Sequence, residues 1–121
     1  MDGIKSKLKI AFNTENEFCT AVSGTGSAAM ESCFVNLINP GDKVLIIQNG
    51  YFSLRMENMC ERLGAEIDIL KFDWGTPAIP EEVRKKLQEN DYSIVAMVHA
   101  ETSTGVLNPV EEVSQFIDDD T

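Results

Sequence analysis

Alternation constrains this chain more than any other feature. Short apolar runs without helical period recur between longer amphipathic runs, and only brief turns separate them. "KVLIIQ" (43–48) is continuously apolar after its lysine, as a strand covered on both faces must be. "YSIVAMVHA" (92–100) is a second run of that kind, and "EIDILKFD" (66–73) alternates. Phe18 to Ser23 reads as a further strand. Between them, Ser27 to Leu37 has helical period, with Ala28, Met30, Cys33, Phe34 and Leu37 expected inward. "YFSLRMENMCERLGA" predicts a helix closed by Gly64, "PAIPEEVRKKLQEN" one with Pro80 in its first turn, and "NPVEEVSQFIDD" one that starts at Pro109. Residues 3–14 suit a short amphipathic helix, with Ile4, Leu8 and Ala11 or Phe12 on one face. "NPGD" (39–42) is a turn.

Strands alternating with helices over short connections predict an α/β fold with three layers, α/β/α, around a mainly parallel sheet. Ligands in such sheets bind beyond the carboxyl ends of the strands. The segments to question are therefore 23–27, 49–53, 73–75 and 99–105.

The first of these is "SGTGS", between an apolar run and a helix. Gly24-Thr25-Gly26-Ser27-Ala28-Ala29 fits the G-x-G-x-x-A fingerprint of dinucleotide sites. That reading also needs an acid after the second strand to hold the ribose, and this strand ends in Gln48-Asn49-Gly50. A single phosphate fits better, held by the helix N-terminus and the hydroxyls of Thr25 and Ser27. A tight turn without a ligand is the plainer alternative. Tyr51 and Phe52 follow the second strand, and "HAETSTG" turns polar directly after an apolar run. A phosphate, a flat apolar surface and a row of hydroxyls suggest a phosphorylated aromatic cofactor. His99 reads as structural.

Charge and length narrow the partners. A net charge of −10 argues against nucleic acid and anionic membranes, which call for clustered Lys and Arg. No apolar run approaches the roughly 20 residues that span a bilayer, and the start lacks a signal-peptide pattern, so a cytoplasmic protein is expected. The 121 residues suit one domain. Asp118 to Asp120 read as a solvated helix end. Cys19, Cys33 and Cys60 lack metal or redox spacing and are expected as buried free thiols.

Three motifs in order, "SGTGSAAMESCFVNLINPGDKVLIIQNGYFSLRM", "CERLGAEI" and "VHAETSTGVLNPVEEV", resemble the large domain of the class V, fold-type I aminotransferases, in particular the alanine–glyoxylate and serine–pyruvate branch. The resemblance runs from about residue 3 to 117. It implies pyridoxal 5′-phosphate as cofactor, with Thr25, Gly26 and Ser27 on the phosphate. It implies that Phe52 stacks on the ring, where the family often has Trp, and that Thr102 contacts the cofactor near the ring substituents. Glu101, Ser103 and Gly105 would shape the loop. A homodimer acting on an amino acid and a 2-oxo acid is implied in the same way.

In that family a Schiff-base lysine and an aspartate on the pyridine nitrogen come later than "PVEEV". Residues 1–121 therefore read as part of a large domain, without the lysine region and the small C-terminal domain, and bind the cofactor non-covalently at most. Lys5, Lys7, Lys9, Lys43, Lys71, Lys85 and Lys86 all fall on helices or within strands. The resemblance also predicts the strand order third, second, fourth, with the 18–23 strand unpartnered. A non-catalytic module that binds a phosphate ligand is the alternative from another class. An NAD-dependent oxidoreductase is a third reading, disfavoured by the missing acid.

Overall fold

The computed structural model describes residues 2–21 and 23–117. The chain divides into two compact units, Met1–Met30 and Glu31–Thr121.

In the first unit, α1 (Asp2–Ala11) ends where Asn13 takes a positive φ of 47° and the Thr14 amide reaches back to the Lys9 carbonyl at 3.0 Å. On the expected apolar face Ile4 and Phe12 stay 58 and 75% exposed and only Leu8 is half-buried, and Ile10 off that face is 79% exposed. Residues 18–21 and 23 form no strand, and Val22 lies outside the described residues. A strand exists by its hydrogen-bonded neighbour, and no described residue pairs with this one; Phe18 is 85% exposed. Helix α2 (Gly26–Leu37) then runs across the boundary between the units. Phe34 is buried as expected, but Cys33 and Leu37 are exposed. Ala28 and Met30 are half-buried, so the covered stripe runs through Met30, Phe34 and the following Ile38 and is narrower than expected.

The second unit is built on a parallel sheet. β1 (Lys43–Gln48) lies between β2 (Glu66–Lys71) and β3 (Ile94–Met97), in the order β2-β1-β3. This is the predicted order of the expected third, second and fourth strands. Register runs from Lys43 opposite Glu66 to Gln48 opposite Lys71, and from Val44 opposite Ile94 to Ile47 opposite Met97. Val44, Leu45, Ile46 and Ile47 are each completely buried, which explains why this central strand carries no alternation. At about 1.5–3 kcal/mol per buried aliphatic side chain, it is the most strongly anchored stretch among the described residues.

The connections β1–α3–β2 and β2–α4–β3 move across the sheet in opposite directions. With right-handed crossovers they place α3 (Tyr51–Arg62) and α4 (Pro80–Glu89) on opposite faces, which gives the expected three layers. Ile47, Ala78, Val83 of α4 and Val113 of α5 (Val110–Ser114) form one core cluster, joined by Leu70, Leu87, Val95 and Met97. Helix α3 ends at Leu63, and Gly64 follows at φ 79°, the left-handed conformation in which glycine costs least. After β3 the chain forms a small antiparallel hairpin, β4 (Ala100–Glu101) with β5 (Val106–Leu107).

The three cysteines differ from expectation. Cys60 is buried, Cys19 is half-buried and Cys33 is exposed, because Cys33 lies off the covered line of α2. Burial pushes the Cys60 thiol up to about 11. Asp118 to Asp120 lie outside the described residues.

Candidate functional site

Three loops leave the carboxyl ends of β1, β2 and β3, and a network of buried polar groups ties them together. Asn49, directly after β1, is fully buried. Its amide nitrogen donates to the Thr76 carbonyl and to Asn108 Oδ1, each at 2.8 Å. Asn108 donates to the Val98 carbonyl at 2.6 Å and accepts from the Ala78 amide at 3.0 Å. Two side-chain amides thus bind the segments after all three strands and the start of α5. Every buried side-chain nitrogen and oxygen among the described residues is paired, as a low-dielectric site demands.

Helix α3 opens at this end of the sheet, and its capping is unusual. The first turn of a helix has amide groups without intrahelical acceptors, and a side chain at the N-cap ordinarily takes one of them. Here the N-cap is Gly50, which has no side chain to offer. The loop after β3 supplies the acceptors instead. Ser103 Oγ accepts from the Tyr51 amide at 2.9 Å. The Glu101 carboxylate accepts from the Phe52 amide at 3.1 and 3.3 Å and from the Ser53 amide at 3.1 Å. Ser103 Oγ in turn donates to Glu101 Oε1 at 2.6 Å, and the Ser103 amide lies 3.3 Å from the same oxygen. The Ser53 hydroxyl accepts from the Gly50 amide at 3.1 Å and donates to the Gly50 carbonyl at 2.9 Å.

Glu101 is completely buried. Burial by itself raises its carboxyl, but the Ser103 hydroxyl and the amides of Ser53, Phe52 and Ser103 outweigh that and hold it below its ordinary value. All these partners are donors, so the ionised form fits. The arrangement also explains Gly50. Its backbone is extended, which any residue tolerates, but a Cβ there would overlap Glu101 Cγ and Cδ.

This geometry changes the reading of "HAETSTG". As a bare pattern its polar row reads as a surface for a bound ligand, while the resemblance has Glu101 and Ser103 shape the loop; in the structure both are spent on the chain's own helix. The Thr104 hydroxyl lies 3.4 Å from the Glu101 carbonyl. Thr102 is exposed, and its hydroxyl makes no hydrogen bond among the described residues. Phe52 is half-buried, with its ring edge-on to exposed Tyr51 at 5.7 Å. The Glu101 side chain holds the Phe52 backbone and Thr102 is the next residue, so these two expected site residues are brought together. His99 is exposed, and its backbone carbonyl accepts from the Asn108 amide at 2.7 Å.

The other expected site residues belong to the first unit. Thr25 caps α2: its Oγ1 accepts from the Ala28 amide at 3.3 Å and its carbonyl from the Ala29 amide at 3.1 Å. Gly26 and Ser27 are the first helical residues, whose amides have no intrahelical acceptor. Thr25 and Gly26 are exposed and Ser27 is half-buried. A Cβ on Gly24 would come within 3.1 Å of Ala28 Cβ, so this glycine lets the chain turn closely over the helix. The turn has the donors a phosphate monoester needs.

Sequence reasoning missed the tasks of Glu101 and of the Asn49–Asn108 pair. One signal was available. A helix opening on Gly-Tyr-Phe-Ser has no good N-cap of its own, and a carboxylate next to a buried strand without a basic neighbour must find donors somewhere. Lys71 lies within a strand as expected, as the exposed last residue of β2. Among the described residues there is no cluster of His, Cys, Asp and Glu that could hold a metal.

The family model for class-V aminotransferases matches residues 1–120. An alanine–glyoxylate aminotransferase of Oryctolagus cuniculus is 37% identical over 111 residues, covering 92% of this chain and 28% of that protein. The crystal structure of an alanine–glyoxylate aminotransferase from Nostoc superposes with a TM-score of 0.88 at 43% identity, over 96% of this chain and 32% of the other. That of the ureidoglycine–glyoxylate aminotransferase of Bacillus subtilis gives 0.91 at 33% identity, over 95% and 30%. The chain spans under a third of the length of the curated relatives it matches.

Proposed function

Because the chain belongs to the class-V aminotransferase family, whose members use pyridoxal phosphate, we propose that these residues form the first part of the large domain of an enzyme that moves an amino group from alanine or serine to glyoxylate or pyruvate. The observation that carries this reading is the family match over residues 1–120, which takes in the glycine turn and the 99–105 loop together.

Thr25, Gly26 and Ser27 take the cofactor's phosphate, through the first amides of α2 and two hydroxyls. Phe52 offers an apolar face to its ring, and Thr102 offers a free hydroxyl beside it. Bound pyridoxal phosphate supplies the electron sink for reaction at the amino acid's α-carbon. Asn49 and Asn108 keep the three strand-end loops fixed. The 121 residues by themselves bind the cofactor non-covalently and are inactive, a reading supported by the place of every lysine in a helix or strand rather than in a strand-end loop; Lys43 and Lys86 are in addition engaged with Asn90, Asp68 and Glu89. The working protein is a homodimer in the cytoplasm, the compartment that suits unpaired cysteines. No helix among the described residues is long and apolar enough to cross a membrane.

The test is pyruvate formation from alanine and glyoxylate with pyridoxal phosphate, after reading the frame past codon 121. An apolar strand ending in aspartate, then a lysine turn, and pyruvate release by the longer product alone are expected. A stop directly after Thr121, with pyridoxal phosphate bound but no turnover, would favour the non-catalytic phosphate-binding module. Failure of the longer product to bind the cofactor would sink the enzyme reading, and failure to bind inorganic phosphate as well would sink the phosphate-binding module.

A further inference from the structure

Two helices, α2 and α3, follow expected strands in the sequence, and each N-terminus is a natural seat for an anion. They are treated differently. At α2 the turn is glycine-rich and exposed. At α3 the amides of Phe52 and Ser53 already bind the buried carboxylate of Glu101, and the Tyr51 amide binds Ser103, which donates to that carboxylate. No cation pairs with Glu101 among the described residues, so its charge is carried by amide and hydroxyl donors alone.

We propose that Glu101 is a positioning residue: its carboxylate is a built-in anion that fills the α3 N-terminus, closes it to phosphate, and locks the backbones of Phe52 and Thr102 into one arrangement. The inference rests on the cofactor reading above, in that Phe52 and Thr102 are taken to face the ring. Two features make the lock stiff. Glu101 also belongs to the hairpin, opposite Val106, so its backbone cannot slide. Gly50 leaves room for its Cγ and Cδ alone. A shorter carboxylate would not span the gap, and a neutral amide would set its own N–H groups against amide donors.

The experiment uses the full chain with Glu101→Gly, Glu101→Gln and Ser103→Ala. Two readouts are taken: the thermal midpoint without cofactor, with and without sodium formate, and the circular dichroism induced in bound pyridoxal phosphate. Expected is a lower midpoint for Glu101→Gly that formate restores and sodium chloride at equal ionic strength does not. The unmodified protein should show no such gain. Induced dichroism should fall several-fold in Glu101→Gln and Glu101→Gly, recover with formate in Glu101→Gly, and fall less in Ser103→Ala. Full dichroism in Glu101→Gln or in Ser103→Ala overturns the positioning part, and the serine variant decides the matter if the others do not fold. A midpoint indifferent to formate overturns the built-in anion. If the unmodified protein shows no dichroism although formate rescues Glu101→Gly, the cofactor reading fails, taking the positioning part with it, while the anion seat stands.

Discussion

At the residue scale, Gly50 and Glu101 are one unit written in two places. A methyl on Gly50 meets a side chain with no room to retreat, so Gly50→Ala should cost about 1–3 kcal/mol, seen as a lowered denaturation midpoint with an unchanged slope. The Asn49–Asn108 pair follows another logic. Asn108→Ala strands the Ala78 amide, the Val98 carbonyl and part of Asn49, and each buried group left unpaired costs about 1–3 kcal/mol. Asn108→Asp should be nearly as harmful, because a carboxylate would face the Val98 carbonyl. Urea titration of both variants checks this. The sequence showed an asparagine after a buried strand, but not its partner 59 residues away. Such pairing is a property of the assembled sheet, which local pattern does not encode.

At the element scale, pattern and structure agree wherever burial is two-sided or a turn is chemically enforced. β1 was legible because all its aliphatic residues are covered, and α4 because Pro80 and two glutamates mark its start. The 18–23 segment is unpartnered among the described residues, as its expected place in the order implies, and without a neighbour to supply hydrogen bonds its strand propensity alone does not make residues 18–21 and 23 a strand. Ile47, in the cluster with Val83 and Val113, should cost about 2–5 kcal/mol when cut to alanine, measured by chemical denaturation. Elsewhere β2, α4 and the segment before β3 are pinned by a polar cluster. The Tyr92 hydroxyl donates to Asp68 at 2.6 Å, and Lys86 lies 3.5 Å from the same carboxylate. Tyr92 holds the Asp68 carboxyl below its ordinary value, against a smaller opposing effect of burial. That contribution is therefore present above the ordinary carboxylate range and lost as pH falls through the lowered value. Burial, then Asp68, raises Tyr92 from 10.0 to about 12, so its contribution holds below 10 and fades as pH climbs towards 12. Thermal midpoints should be flat through neutrality and fall at both ends, and Tyr92→Phe should weaken both falls, leaving on the alkaline side the one that buried Cys60 gives between 9 and about 11.

At the scale of the whole molecule, the two units differ in how much apolar surface they cover. The first unit shows Ile4, Ile10, Phe12 and Phe18 to solvent, and both outer edges of the β2-β1-β3 sheet lack partners among the described residues. Unpaired edges invite association, so sedimentation should show oligomers whose share rises with concentration; a monomer with a sharp, cooperative melt would contradict this. A glutamate-specific protease should cut first at exposed Glu15 and Glu17, where the chain has no regular structure, and leave buried Glu101 intact. The trans-capping of α3 carries one more consequence, for the order of folding. The acceptors for its first three amides lie 48 to 52 residues downstream, on a hairpin that follows the third strand. The opening turn of α3 is therefore complete only after that strand has docked, which makes it a late, long-range event in assembly. Helix ends usually fray and exchange their amide protons early. Here the amides of Tyr51, Phe52 and Ser53 should exchange as slowly as those of the central strand, reporting the opening of the whole sheet.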